Sequence, residues 1–218
     1  DFYSSIKNKP VLLTGYNRRF SPYISRLKNI IKKNNNPFIL TYRVNAGSLE
    51  RNSWVNDSNI GGGRNIGEAC HFYDLFCYLA ESEVEEISAY SVNKNLLTNA
   101  DKNIVQIPSE NFVATIKFKN QSICNLVYTA LGNNKVDKEY LELFKDSSIF
   151  ILNDYKKLKY AGSNGFIFKT NRQDKGYKNE LIEFYNAIKF RKNIIPFNQQ
   201  LEASRISFIV EELINRKK

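Results

Sequence analysis

Residues 61–75 read GGGRNIGEACHFYDL, a glycine-rich turn that runs directly into an apolar helix. Glycine accepts positive φ and allows close backbone approach. His71, the only histidine of the chain, falls in the first turns of this helix, where unpaired N–H groups and the positive end of the helix dipole disfavour an imidazolium. A neutral imidazole can accept a proton. The stretch therefore makes His71 a candidate general base; the alternative is a helix residue hydrogen-bonded in the core or at an interface.

Glu68 precedes His71 by three residues in the same helix. This spacing lets a carboxylate orient an imidazole or raise its basicity. An ordinary helix-surface pair is the alternative. The helix itself is predicted over Gly67–Ala80, since Phe72, Leu75, Phe76 and Leu79 form one apolar stripe.

The rest of the chain alternates between helical and strand patterns. Ser21-Pro22 predicts a helix start, and apolar stripes predict two closing helices around residues 181–188 and 206–214. Phe38 to Val44 alternates as a strand with Arg43 on its second face. Further strands are predicted at 84–92, 112–118, 122–128, 140–144, 148–152 and 166–168. Short links between them favour antiparallel pairing. We therefore predict an α+β fold with a largely antiparallel open sheet and helices packed on one face.

Length and composition fit one substantial domain, because 218 residues of which 42% are hydrophobic can bury a sizeable core. The sequence has no run of about eighteen apolar residues and no basic start followed by an apolar signal segment. We therefore expect a cytoplasmic protein without a membrane span. The three cysteines are odd in number and form no C-x-x-C pair, so neither a disulfide framework nor a metal site is predicted.

The formal charge of +10 suggests nucleic-acid binding as one function. The lysines are scattered among asparagines and isoleucines, however, and form no basic stripe interleaved with aromatic residues. We therefore do not expect a nucleic-acid partner. A basic field also steers anionic ligands such as sugar nucleotides towards a protein.

Three segments, GYNRRFSP (15–22), YRVNAG (42–47) and the glycine-rich stretch 61–75, together resemble the Gfo/Idh/MocA oxidoreductases. The likeness runs from about Pro10 to the end. It is strongest with members that act on sugars or sugar nucleotides in surface-polysaccharide pathways. In that family a Rossmann domain binds the nicotinamide cofactor, and a following α/β domain supplies substrate contacts and a proton-transfer histidine. The resemblance thus implies NAD or NADP as cofactor and a sugar or sugar nucleotide as substrate.

This chain looks like only the second part of such an enzyme. No buried strand is followed by G-x-G-x-x-G and a later acidic residue, and the family's Glu-Lys-Pro segment is absent. Pro10–Thr14 is predicted as a short, wholly buried strand, by resemblance the last strand of the Rossmann domain. We therefore expect residues 1–20 to be a remnant of the preceding dinucleotide-binding domain with its linker. Residues 21–218 would form the C-terminal α/β substrate-binding and oligomerisation domain, inactive alone, with a homo-oligomer formed through the open sheet face.

The resemblance also assigns roles to residues. His71 would be the proton-transfer residue, assisted by Glu68, and the main cofactor site would lie in the missing domain. Arg19 would brace the structure. Four residues are expected to contact substrate: Asn17, Arg18, Arg43 and Trp54. For Trp54, which lies in the long polar stretch 45–60, a buried loop anchor is the alternative.

One position departs from the family pattern. Many members carry an aspartate four residues before the histidine, whereas this chain has Gly67 there and an acid at Glu68. The offset turns the carboxylate by about one hundred degrees around the helix. Either Glu68 orients His71 by a different route, or its role is structural. Besides the oxidoreductase, a non-catalytic sugar-binding or oligomerisation module of the same fold and a basic nucleic-acid-binding domain remain as hypotheses.

Overall fold

The computed structural model describes residues 5–7, 10–47, 60–92 and 108–216, which form one eight-stranded sheet with helices against it. The strands lie in the spatial order β2-β3-β4-β1-β5-β6-β7-β8. Their bounds are β1 Ile39–Asn45, β2 Val84–Ser91, β3 Asn111–Phe118, β4 Ile123–Thr129, β5 Glu139–Lys145, β6 Ser148–Asn153, β7 Lys157–Ala161 and β8 Phe166–Lys169.

Strand β1 lies in the middle of this sheet. It pairs in parallel with β4, where Tyr42 is opposite Leu126, and antiparallel with β5, where Tyr42 is opposite Leu141. All other neighbouring strands pair antiparallel. The predicted α+β class with a largely antiparallel open sheet is therefore confirmed.

Among the described residues, four α-helices accompany the sheet: α1 Pro22–Ile31, α2 Cys70–Ala80, α3 Tyr177–Phe190 and α4 Phe197–Asn215. The α1 start follows the sequence signal, because the Ser21 side chain accepts a hydrogen bond from the Tyr23 backbone N–H and Pro22 occupies the first turn. The predicted stripe of α2 is also observed, since all four of its apolar residues are buried.

Helices α1, α2 and α4 cover one face of the sheet. Tyr42 of β1 points to this face, and its ring centre lies 4.7 Å from that of Phe72 in α2. Near the β8 edge, the Tyr23 ring of α1 lies 4.9 Å from Phe168, while α4 packs against α2 and β2. Removing such side chains from water stabilises the fold by about 1.5–3 kcal/mol each.

The second face of the sheet has no covering helix among the described residues. Strand residues that alternate with the buried ones point to it, and Ile39 and Phe144 are 51% and 44% exposed there. The prediction that helices pack on one face of an open sheet is therefore confirmed.

Three local features differ from the sequence-based expectations. Strand β7 was not predicted, because it is only five residues long, although its lysines alternate with apolar residues as in a half-buried strand. The apolar stripe of α3 forms but is largely exposed, with Leu181 67% accessible. The predicted strand Pro10–Thr14 pairs with no other strand of the described residues, and Leu12 is 39% exposed.

Side chains, rather than a neighbouring strand, hold the backbone of that segment. The Leu12 N–H donates to Asn193 Oδ1 at 3.0 Å, and the Thr14 N–H donates to Gln200 Oε1 at 2.7 Å. The wholly buried strand is therefore not observed, since no strand lies beside it. The turn that follows, Asn17–Phe20, packs into the same core as α2. The division of the chain at residue 20 stays a prediction.

Candidate active site around His71

Backbone geometry at the start of α2 sets the position of His71. Gly62 and Gly63 adopt φ values of 68° and 82°, which glycine accepts more readily than other residues. Asn65–Ala69 then form a π-helical turn before α2 begins, a local distortion that is frequent at functional sites. His71 follows in the first turn of α2, at the wall of a cleft of about 290 Å³. Other residues lining this cleft include Gly15, Tyr16, Cys70, Ser204 and Phe208.

The surroundings of the imidazole keep it neutral. The Tyr16 ring meets it edge-on, with centroids 5.7 Å apart, and His71 Nδ1 is buried with no hydrogen-bond partner among the described residues. Burial and the nearby charge of Arg18 lower the pKa of His71 from 6.5 to about 4, against weaker opposite effects of Glu68 and Glu139. At neutral pH the ring is therefore uncharged and able to accept a proton.

Glu68 bonds to other residues, whereas an acid that orients His71 would bond to its imidazole. Its Oε1 accepts from Lys138 Nζ at 2.6 Å, and its Oε2 accepts from the Tyr128 hydroxyl. Burial raises the pKa of Glu68, but these hydrogen bonds outweigh burial and lower it below its usual value. The carboxylate thus acts on His71 through its charge. Its hydrogen bonds go instead to Tyr128 in β4 and to Lys138, the residue before β5.

Arg18 is buried beside His71 and pairs with a carboxylate of the chain itself. Its Nε donates to Glu139 Oε2 at 2.9 Å, and its Nη2 donates to Oε1 at 3.1 Å. Lys175 Nζ and the Tyr42 hydroxyl each lie 2.6 Å from the same carboxylate. Burial raises the pKa of Glu139, but the charges and hydrogen bonds of Arg18 and Lys175 outweigh it and lower the pKa to about 2. The substrate role of Arg18 stays a prediction.

The neighbours of Arg18 in sequence are buried too. Asn17 Nδ2 donates to the Lys175 carbonyl at 2.8 Å, while Asn17 Oδ1 is buried without a partner among the described residues. Arg19 donates to both oxygens of Asp74, at 2.8 and 2.5 Å. Burial raises the pKa of Asp74 to about 6 despite this pairing. Arg19 therefore braces the turn against α2, as expected, and the substrate role of Asn17 stays a prediction.

The other two predicted substrate contacts are not brought to the cleft. Arg43 follows Tyr42 in β1 and so points to the open face of the sheet, where its Nη2 donates to the Asp137 carbonyl at 3.3 Å and its guanidinium lies 5.6 Å from the Tyr140 ring centre. The structure thus separates Arg43 from His71, which lies on the helix-covered face. Trp54 lies outside the described residues.

The site offers little support for metal or thiol chemistry. Within the described ranges, no group of three or more His, Cys, Asp or Glu side chains is placed to hold a metal ion. Burial raises the pKa of Cys70 to about 11, so this thiol stays protonated at neutral pH. The cleft, at about 290 Å³, lies at the lower end of small-molecule pockets.

A protein-family model described as the C-terminal alpha/beta domain of the oxidoreductase family Gfo/Idh/MocA matches residues 28–209. The chain belongs to this family. No curated protein matches it in sequence. No helix in the described part of the chain combines the length and apolarity needed to cross a bilayer.

Solved structures with the same fold include several dehydrogenases. UDP-N-acetylglucosamine 3-dehydrogenase GnnA from Acidithiobacillus ferrooxidans is 15% identical, with a TM-score of 0.73 over 94% of this chain and 61% of its own. Levoglucosan dehydrogenase in complex with NADH and levoglucosan is 18% identical, with a TM-score of 0.74 over 97% and 66%. A putative oxidoreductase from Thermotoga maritima is 10% identical, with a TM-score of 0.72 over 99% and 65%.

The TM-scores show that these structures share the fold of this chain. The chain spans 61% of the length of the first of these structures. The family's members are oxidoreductases, and the levoglucosan enzyme contains NADH.

Four polar residues around this candidate site were not predicted from the sequence. They come from parts of the chain more than fifty residues from His71, and no local motif marks them: Tyr128, Lys138, Glu139 and Lys175. One signal was present in Glu139, which shares the buried face of β5 with Leu141 and Leu143. A carboxylate on the apolar face of a strand needs a buried cation, and Arg18 supplies it.

Proposed function

We propose that this chain is the substrate-binding and oligomerisation part of an NAD(P)-dependent oxidoreductase acting on a sugar or sugar nucleotide, with His71 as the proton-transfer residue. One observation carries the proposal: a neutral, mostly buried imidazole at the wall of a cleft, with Nδ1 unpaired among the described residues. A core histidine is normally hydrogen-bonded. A neutral imidazole that lines a cleft can instead exchange a proton with a ligand that enters the cleft.

Oxidation of a sugar hydroxyl requires removal of one hydride and one proton. A bound nicotinamide accepts the hydride, and the protein must take the proton. His71 is suited to this step because it is uncharged at neutral pH. The charge of Arg18 disfavours a lasting imidazolium, so the proton would pass on rather than remain on the ring. Glu68 assists through its charge.

The wider parts of the proposal come from the family. We infer that a dinucleotide-binding domain, which the family resemblance implies, holds most of the cofactor, and that this chain is inactive without it. The open sheet face, with exposed Ile39 and Phe144, is the surface that we propose for a homo-oligomer. The cytoplasmic location remains a proposal from the sequence pattern, and a role in surface-polysaccharide sugar metabolism is a proposal from the resemblance.

The test replaces His71 by asparagine in the complete polypeptide that contains these residues. Substrate oxidation is measured as the formation of NADH or NADPH, with UDP-N-acetylglucosamine and with neutral sugars as substrates. We expect kcat to fall by about 10²–10⁴-fold, the usual contribution of general acid–base catalysis, with a far smaller change in KM. Lys119→Gln, at an exposed ion pair far from the cleft, serves as control. A kcat close to that of the unmodified protein would remove His71 from the mechanism and favour a non-catalytic sugar-binding module.

A further inference from the structure

Charged side chains are unevenly balanced around His71. Two carboxylates, Glu68 and Glu139, face three cations, Arg18, Lys138 and Lys175. With His71 neutral, the group carries a net charge of +1.

Lys138 is the cation of this group that is open to a ligand. Its side chain is 41% exposed, against 15% for Lys175 and 6% for Arg18. The ammonium has three N–H donors, of which the contact with Glu68 Oε1 at 2.6 Å uses one. Arg18, by contrast, already has two bonds to Glu139.

Glu68 connects this ammonium to the helical turn before the proposed proton acceptor, just outside the residues that line the cleft. The carboxylate lies one helical turn before His71, and its charge acts on the imidazole. Its second oxygen accepts from the buried Tyr128 hydroxyl, which fixes the carboxylate from the opposite side. Lys138 is thereby attached to a rigid part of the fold, although it lies in the segment just before β5.

From this arrangement we infer that Lys138 binds a negatively charged group of the substrate, so that the site selects an anionic sugar over a neutral one. This inference rests on the proposed function. The anionic group is the diphosphate of a nucleotide-linked sugar or the carboxylate of a sugar acid, since an ammonium binds either. The positive charge of the whole chain steers both towards the site.

The experiment measures ligand binding, not turnover. UDP-N-acetylglucosamine, glucuronate, glucose and NADH are titrated separately into the chain by calorimetry. In parallel, NMR follows the ring-proton signals of His71, which report binding next to the site. These signals can be assigned directly, because the chain has a single histidine. The variants are Lys138→Gln and, as matched control, Lys119→Gln, which removes a lysine paired with the exposed Glu83. The His71 spectrum without ligand checks that each variant keeps its fold.

We expect an anionic sugar to bind and to shift the His71 signals. Lys138→Gln should weaken that binding roughly tenfold or more, the value of a hydrogen bond to a charged group, and Lys119→Gln should leave it nearly unchanged. If Lys138→Gln weakens binding of the nucleotide sugar alone, Lys138 binds the diphosphate. If it also weakens binding of glucuronate, Lys138 binds any anionic group of the sugar.

Three outcomes would overturn the inference: no binding of either anionic sugar, equal effects of the two substitutions, or a Lys138 effect on NADH as large as that on the sugars. Failure of the proposed function is separate, because it is measured by turnover of the His71→Asn variant. A chain whose binding depends on Lys138 but whose turnover does not depend on His71 would keep this inference and lose the catalytic proposal.

Discussion

Replacement of Glu139 by glutamine should destabilise the folded chain by about 3–5 kcal/mol at neutral pH, the cost of removing one partner from a buried ion pair. The carboxylate is 1% exposed and pairs with both Arg18 and Lys175. Glutamine keeps the shape of the side chain and can still accept a hydrogen bond, but it leaves the buried guanidinium without a counter-charge. Glu142→Gln, in the same strand but on its other face, should cost about 1 kcal/mol or less.

The destabilisation should shrink in acid. The pKa of Glu139 is about 2 in the fold and 4.5 in the unfolded chain. A carboxyl whose pKa is lowered by folding stabilises the protein above pH 4.5, and this contribution is lost as the pH falls towards 2. Each pKa unit corresponds to about 1.4 kcal/mol, so the unmodified protein should lose about 3 kcal/mol from this group. The glutamine variant has no such group and should lose none.

Urea unfolding followed by circular dichroism, at pH 7 and at several acid pH values, measures both free energies of unfolding. Other titrating groups are common to the two proteins, so they largely cancel in the difference. The gap should narrow from about 3–5 kcal/mol to about 0–2 kcal/mol. A gap that stays constant down to pH 2.5 would refute the reasoning, because it would mean that the Glu139 carboxyl does not titrate below its usual range in the fold.

Two further predictions concern His71 and a glycine. The His71 ring should titrate near pH 4 when its signals are followed by NMR. Because folding lowers this pKa, the free energy of unfolding should fall by up to about 3 kcal/mol between pH 6.5 and 4, as the unfolded chain takes up the proton. A titration midpoint near pH 6.5 would instead show a solvated ring. Gly176 has φ 92°, and a Cβ there would lie 2.4 Å from the Asn17 carbonyl oxygen, so Gly176→Ala should cost about 2–5 kcal/mol in thermal or urea unfolding. Gly47→Ala is the control, because Gly47 also has a positive φ of 69° but no atom of the described residues lies within 4 Å of the added Cβ. It should lower the free energy of unfolding by only about 1–2 kcal/mol. Equal losses in the two variants would show that the backbone conformation, and not the clash, sets the cost.

Much of the fold follows from local patterns. The alternation around Tyr42 predicted β1 within one residue at each end, since a half-buried strand must alternate. The stripe of α2 predicted the buried face of that helix for the same kind of reason. The central position of β1 was not predictable, because strand order depends on pairings between residues far apart in sequence.

The candidate site was predictable only in part. His71 stands out because it is unique and follows a glycine-rich turn. The partners of Glu68 could not be read locally, since Lys138 is seventy positions away and Tyr128 sixty. For Arg43 the alternation gave the correct face, but only the position of α2 shows that this face is opposite His71. The prediction of a buried strand over Pro10–Thr14 was wrong, because a strand needs a neighbouring strand and an apolar pattern does not guarantee one.

The central place of β1 has a consequence for how the chain acquires its structure. The strands β2 to β4 and β5 to β8 each form a run of sequential antiparallel neighbours, whose contacts close over short chain lengths. Strand β1 must wait for both runs, since Ile39 pairs with Ile123 and Phe144, separations of 84 and 105 residues. Long-range pairings of this kind close slowly. We therefore expect insertion of β1 between two preformed half-sheets to be the late, rate-limiting step of folding. During synthesis this strand would emerge before β4 and β5, and it could not complete its pairing until both have left the ribosome.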